Sequence, residues 1–179
     1  MPVNLEVNTI EQILTEIKSI QQTGLLDTSQ SKNIKNYKES SPNFPPFVDP
    51  SRMSELKGLK STKYDLSKLI RYCEELDNNF RAECFLSVPM LGRAILDHVP
   101  PIFGCKSFSE VANNYAGTKS FKQSMEHLEN SLRKIADAHL HVQIRKSEVL
   151  PNRTQVNYSA DLDVLLAEIV RLLKRENDT

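Results

Sequence analysis

Apolar residues along this chain recur at intervals of three and four, the spacing that aligns side chains on one face of an α-helix. Near the start, Thr9-Ile-Glu-Gln12 has the capping-box pattern, and Ile10, Ile13, Leu14, Ile17 and Ile20 form one stripe that Gly24 ends. Over residues 27–50 this periodicity gives way to Ser, Asn, Lys and Pro, with Pro42, Pro45, Pro46 and Pro50, the composition of a linker or extended arm. Asp49-Pro50 then reads as an N-cap followed by proline at the first helical position, opening a short helix to Leu59.

Regular helical spacing resumes at Tyr64. Asp65 is placed to cap a helix whose inward positions are Leu66, Leu69, Ile70, Cys73 and Leu76. Residues 80–99 are apolar nearly all round, which predicts a central buried helix. Pro89 should kink that helix, and Gly92 should let another backbone approach it. Pro100-Pro101 ends it, and Ser107-Phe-Ser-Glu110 is a second capping box for a helix to Asn114. The longest helix is predicted over residues 119–144, with Phe121, Met125, Leu128, Leu132 and Ile135 inward. Residues 150–158 read as irregular or briefly extended. Ser159 then caps a last helix to Lys174, with Leu162, Leu165, Leu166, Ile169, Val170 and Leu173 inward.

No strand pattern competes with these helices, so the predicted fold is all-α. Residues 64–179 should form an antiparallel bundle of four to five helices, preceded by an amphipathic N-terminal helix (1–24) and a proline-rich linker or arm with a short helix (25–63). The N-terminal stripe must bury itself, either on its own domain or on a partner protein or second copy reached by residues 1–60.

Composition narrows the chemistry. Lys plus Arg equals Asp plus Glu, 23 each, which argues against bulk electrostatic capture of nucleic acid but leaves room for a local basic site. The absence of Trp weakens any case for a stacking platform. Cys73, Cys84 and Cys105 form no CxxC pair, so neither a metal cluster nor a disulfide framework is expected; Cys73 and Cys84 lie on apolar faces and read as core. Met1 to Asn8 lacks a basic and an apolar leader region, and no apolar run reaches spanning length, so a cytoplasmic location without membrane or cofactor is expected.

Two segments stand apart: Arg93-Ala-Ile-Leu-Asp97-His98 and Arg133-Lys-Ile-Ala-Asp137-Ala-His139-Leu-His141. Each sets an Arg four residues before an Asp inside an otherwise apolar helix, where an unpaired charge would be costly. At about 100° per residue, Arg133, Asp137 and His141 share one face, continued by Arg145 and preceded by Glu129. His139 points elsewhere, towards the line of Ile135 and Leu132. His139 and His141 diverge at i,i+2, so they are not a helical zinc pair. The two Arg-xxx-Asp units are expected to face one another in a shared polar network. Such a network either fixes helix register or binds a phosphate-bearing ligand, with Arg gripping oxygens and His exchanging protons.

Arg93-x4-His98 and Arg133-x5-His139 both resemble the Arg-x(4–6)-His signature of the HEPN superfamily. The runs Tyr64-Asp-Leu-Ser-Lys-Leu-Ile, Arg93-Ala-Ile-Leu-Asp-His-Val-Pro-Pro-Ile-Phe-Gly and Arg133-Lys-Ile-Ala-Asp are also similar to a bacterial helical module found in C-terminal parts of defence and toxin proteins. The resemblance implies a homodimeric helical bundle and, in active members, metal-independent RNA cleavage at the dimer interface. Carried over, it implies that Arg133 would hold the scissile phosphate while His139 assists the RNA 2′-hydroxyl, with Arg93 and His98 as a second match. The function expected is that of an RNA-targeting effector, cutting RNA without a metal through Arg133 and a nearby His, His139 or His141. The alternative is a non-enzymatic dimerisation or regulatory module that docks a partner effector through the N-terminal helix and arm, since many members are interaction modules.

Overall fold

Asp49 and the proline behind it start the first described helix, as their chemistry requires. Asp49 Oδ1 accepts from the backbone N–H of Ser51 at 2.8 Å and of Arg52 at 3.4 Å, satisfying donors that a helix start leaves open. Pro50 sits where no N–H is needed, and helix α1 runs Pro50–Gly58. The computed structural model describes Thr15, residues 45–61 and residues 63–177 of the chain. The chain divides into two units, Met1–Asn43 and Phe44–Thr179. The N-terminal amphipathic helix and most of the proline-rich linker therefore lie outside the described residues.

Five further helices follow α1, and no strand occurs among the described residues. They are α2 (Ser67–Arg81), α3 (Ser87–His98), α4 (Phe108–Asn114), the long α5, and α6 (Ser159–Asn177). Helix α5 has three continuous parts: Lys119–His127, a π-helical turn Leu128–Leu132, and Arg133–Leu140. A 3₁₀ turn, Pro100–Phe103, follows α3 and closes on Gly104 at φ 69°, a left-handed conformation that glycine adopts without strain. No helix of the described residues is long and apolar enough to cross a membrane.

One apolar core joins these elements. Leu69, Cys73, Leu76 and Phe80 of α2 are buried against it, as are Val88, Ile95 and Leu96 of α3 and Leu162, Leu165, Leu166, Ile169 and Leu173 of α6. Residues read as the end of the linker also contribute: Phe47 and Val48 are buried. The Phe47 ring meets Phe80 and Tyr158 edge-on at 4.7 and 4.9 Å between centroids, and its N–H donates to Asp77 Oδ1 at 2.7 Å. Helix α1 is tied to α6 by Arg52 to Asp163 (3.0 Å) and Lys174 to Glu55 (3.1 Å).

The structure corrects several sequence expectations. Residues 80–99 are not one central helix. Arg81 ends α2, a turn intervenes in which Glu83 takes φ 58°, and α3 begins at Ser87. Pro89 thus falls in the first turn of α3, where its missing N–H costs no intrahelical bond, and it is not an interior kink. Cys84 sits in the turn and is exposed, whereas Cys73 is core as expected. Helix α5 ends at Leu140, not at residue 144. Its π turn, where Arg133 N–H reaches back five residues to Leu128 O, inserts one residue into the register. Beyond it Ala136 is fully buried one turn after Leu132, and Ile135 is partly buried against the core, as expected. At the start of α6 the accepting side-chain oxygen is that of Asn157, which takes bonds from the Ser159 N–H and hydroxyl.

Gly92 fulfils its expectation through a side chain. The Tyr158 hydroxyl fills the space where a Cβ on Gly92 would stand and donates to Val88 O at 2.7 Å. This close seat brings α3 against the chain entering α6 and against Leu132 of α5. The polar residues of α3 and α5 meet beside it.

Candidate functional site

The i,i+4 spacing that aligned each Arg with its Asp in sequence becomes a cross-helix lattice in the fold. Arg133 Nη2 donates to Asp97 Oδ1 at 2.8 Å, and its Nε donates to Glu129 Oε2 at 3.1 Å. Arg93 Nε lies 3.6 Å from Asp97 Oδ2, and Arg93 Nη1 pairs with Asp137 Oδ1. His141 Nε2 stands 3.9 Å from the same Asp137 oxygen. The chain of contacts runs Glu129, Arg133, Asp97, Arg93, Asp137, His141, alternating in sign over its first five members. Helix α3 supplies Arg93 and Asp97, and α5 supplies the rest.

This lattice lies at the surface, with only the contact between Arg93 Nη1 and Asp137 Oδ1 shielded from solvent. The Asp97 side chain is 53% exposed and that of Arg133 is 23% exposed, and no charged residue is buried among the described residues. Burial of Arg133 alone would lower its pKa, but the hydrogen bond to Asp97 and the nearby Glu129 charge outweigh it and raise the value. Each guanidinium is thus held by two carboxylates. The five charged groups sum to one excess negative charge, so an incoming phosphate would have to displace a carboxylate. A lattice of this kind binds a surface of alternating sign more readily than it captures a bare anion.

The remaining predicted residues fall outside it. His98 turns towards α2, its ring edge-on to Tyr72 at 5.9 Å; burial, with Lys68 nearby, lowers its pKa. The Arg93-x4-His98 pair is therefore split between two neighbouring helices. His139 is half-buried and makes no hydrogen bond or ion pair with the lattice. Arg145 does not continue the stripe of Arg133, because the helix that would have carried it ends five residues earlier. Its N–H donates to Glu148 Oε1 at 2.6 Å and its side chain is exposed. Among the described residues no group of three or more His, Cys, Asp or Glu could hold a metal ion.

Two further features adjoin α5. At and past its C-terminus, Leu140, Val142, Ile144, Val149 and Leu150 are all exposed, Ile144 at 95%. Between α5 and the entry to α6, His127 Nδ1 and Asp161 Oδ2 lie 2.5 Å apart beside a cleft of about 320 Å³. Sequence reasoning passed over this pair because 34 positions separate the two residues and no local spacing links them. No family model, curated protein or solved structure matches the chain.

Proposed function

We propose that the protein is a self-associating interaction module whose contact face runs from the α3–α5 lattice onto residues 140–150. The observation that carries this reading is the run of exposed apolar side chains between Leu140 and Leu150, next along the chain to the charges paired on α5. Exposed apolar residues rimmed by polar groups are the anatomy of a protein interface. A second copy is the occupant that suits the charge pattern. In a two-fold contact each patch meets itself, and Arg93, Arg133, Asp97 and Asp137 offer two charges of each sign to pair across the axis. Residues 64–179 would form an antiparallel bundle similar to HEPN domains, acting in the cytoplasm within a bacterial defence or toxin assembly. Amide hydrogen exchange tests the face: protection over residues 140–150 should rise with protein concentration. Exchange that is independent of concentration would remove the proposal.

A second reading, metal-independent RNA cleavage at that same face, is favoured by one observation. His141 reaches Asp137, which pairs with Arg93, so an imidazole and two guanidinium groups share one exposed surface. In this reading Arg133 exchanges a carboxylate for the scissile phosphate, and His141 or His139 moves the proton of the 2′-hydroxyl. Incubating the pure protein with total RNA in EDTA, beside a folded Arg133→Ala variant, tests it. Cleavage by the wild type alone supports the enzyme; no cleavage by either leaves the module without catalysis.

A further inference from the structure

The chain carries no net charge, yet its charge is unevenly placed. Residues 57–71 hold five cations, Lys57, Lys60, Lys63, Lys68 and Arg71, against one carboxylate, Asp65. Three of those lysines, Lys57, Lys60 and Lys63, line a groove of about 620 Å³ where α1, residues 59–66 and the start of α2 come together. Leu59, Tyr64 and Ile70 line the same groove; they pack on the core and are only partly buried. Internal bonds hold its wall in place. Ser61 Oγ accepts from the N–H groups of Lys63 and Tyr64 at 3.2 and 3.1 Å, and the Tyr64 hydroxyl donates to Pro101 O at 2.7 Å. Lys57 Nζ is held 2.7 Å from Glu74 Oε1, and Lys63 Nζ stands 5.1 Å from the Tyr64 ring centroid. Asp65 is taken up by the helix start, its Oδ1 accepting from Ser67 N–H at 2.9 Å. Lys60 is exposed and makes no ion pair among the described residues.

We infer that this groove docks an acidic, amphipathic peptide segment of a partner protein, its carboxylates on the lysines and its apolar side chains on Leu59, Tyr64 and Ile70. The two characters of the lining select that class together. Three ammonium groups against one engaged carboxylate attract an acidic segment and repel a basic one. A lysine ammonium is a point charge on a flexible stem, so it pairs with carboxylates without demanding one geometry, and its stem covers the apolar surface beside it. Exposed ion pairs add little affinity by themselves. The apolar side chains of the segment supply it by burying themselves on the partly covered lining, and the lysines supply steering and choice of partner. A bare polyanion satisfies the lysines but leaves that apolar lining uncovered. A volume of about 620 Å³ falls within the range of ligand sites. No residue of α3 or α5 lines the groove, so docking here does not depend on self-association through the lattice.

The test uses the full chain, with fluorescence anisotropy for affinity and amide NMR shifts for location. The probe is a short labelled peptide in which Leu recurs at every third position among Glu residues. Beside it are titrated an all-Glu peptide of the same length, the matching Lys–Leu peptide and a uridine oligomer. The Glu–Leu peptide should bind saturably, shift amides within residues 57–70 and weaken as salt is raised. The all-Glu peptide and the uridine oligomer should bind about tenfold or more weakly, the loss of one buried leucine side chain. The Lys–Leu peptide should not bind. Lys60→Glu with Lys63→Glu, both on exposed residues and checked by circular dichroism, should weaken the Glu–Leu peptide about tenfold or more. Lys60→Arg with Lys63→Arg should restore it. Shifts centred on residues 140–150 instead of the groove would overturn the inference. So would binding of the all-Glu peptide or the uridine oligomer as tight as that of the Glu–Leu peptide, a charge-reversed variant that binds as well as the wild type, or no saturable binding.

Discussion

Replacing Gly92 by Ala tests whether the seat between α3 and Tyr158 organises the core. A methyl group at residue 92 would overlap the Tyr158 hydroxyl and come within 2.9 Å of Leu132 Cδ2, both in the buried interior. The Tyr158 ring cannot simply swing away, because it is packed edge-on against Phe47 and its hydroxyl is bonded to Val88 O. Displacing that hydroxyl leaves a buried donor unsatisfied, at about 1–3 kcal/mol. Forcing the extra carbon into a filled core costs about 1–3 kcal/mol more. Alanine's better helix propensity returns about 1 kcal/mol. The net expectation is a loss of about 1–5 kcal/mol, read as a lower urea midpoint at unchanged slope. The double variant Gly92→Ala, Tyr158→Phe removes the overlapping oxygen, so it should be clearly less destabilised than the sum of the two singles. A Gly92→Ala protein as stable as the wild type, or more stable, would mean that propensity alone acts at this position and would refute the reasoning.

Three other outcomes follow from the same geometry. Asp97→Asn should cost about 1 kcal/mol or less, shrinking as salt is raised, because the side chain is 53% exposed; a loss of about 3–5 kcal/mol in urea titrations would instead mark a truly buried pair. Burial pushes the Cys73 thiol up to about 12 and the Tyr158 hydroxyl above its ordinary value. The stability each contributes is complete below its unfolded pKa and declines as pH rises above it, by about 1.4 kcal/mol per pH unit per group. Melting temperature should therefore fall from about pH 9, and Cys73→Ala should flatten the fall between about pH 9 and 10. His98 should titrate below the ordinary histidine range by NMR. The stability it adds is present above about pH 6.5 and is lost as pH drops towards its lowered native value; a normal or raised value would contradict its burial beside Tyr72.

How far the chain could be read beforehand depended on whether a boundary carried its own chemistry. Helix α1 was legible because Asp49-Pro50 both caps and starts it, and α4 because Ser107 accepts from Glu110 N–H as a capping box should. The α3–α5 lattice was legible because i,i+4 spacing places Arg and Asp on one face, and two such faces on apolar helices must find each other. The break between α2 and α3 was not. The residues of the turn, Ala82 to Leu86, include no Gly or Pro, and Glu83 adopts positive φ instead. The end of α5 was hidden in the same way, since Leu140, Val142 and Ile144 prolong the apolar pattern with no stop signal before Pro151. The π turn was hidden as well, because it is made by backbone bonding that no side chain announces.

The central claim is that the lattice and the apolar segment beyond α5 join two copies of this chain. Sedimentation equilibrium of the full chain, beside an Ile144→Glu, Val149→Glu variant, measures it directly. Both substitutions lie on side chains exposed at 95% and 82%, so the variant keeps its core. The wild type should sediment at twice the chain mass of 20.4 kDa and the variant at that single mass with unchanged helicity. A wild-type protein that stays at 20.4 kDa at every concentration, or a variant that dimerises as well as the wild type, would contradict the account.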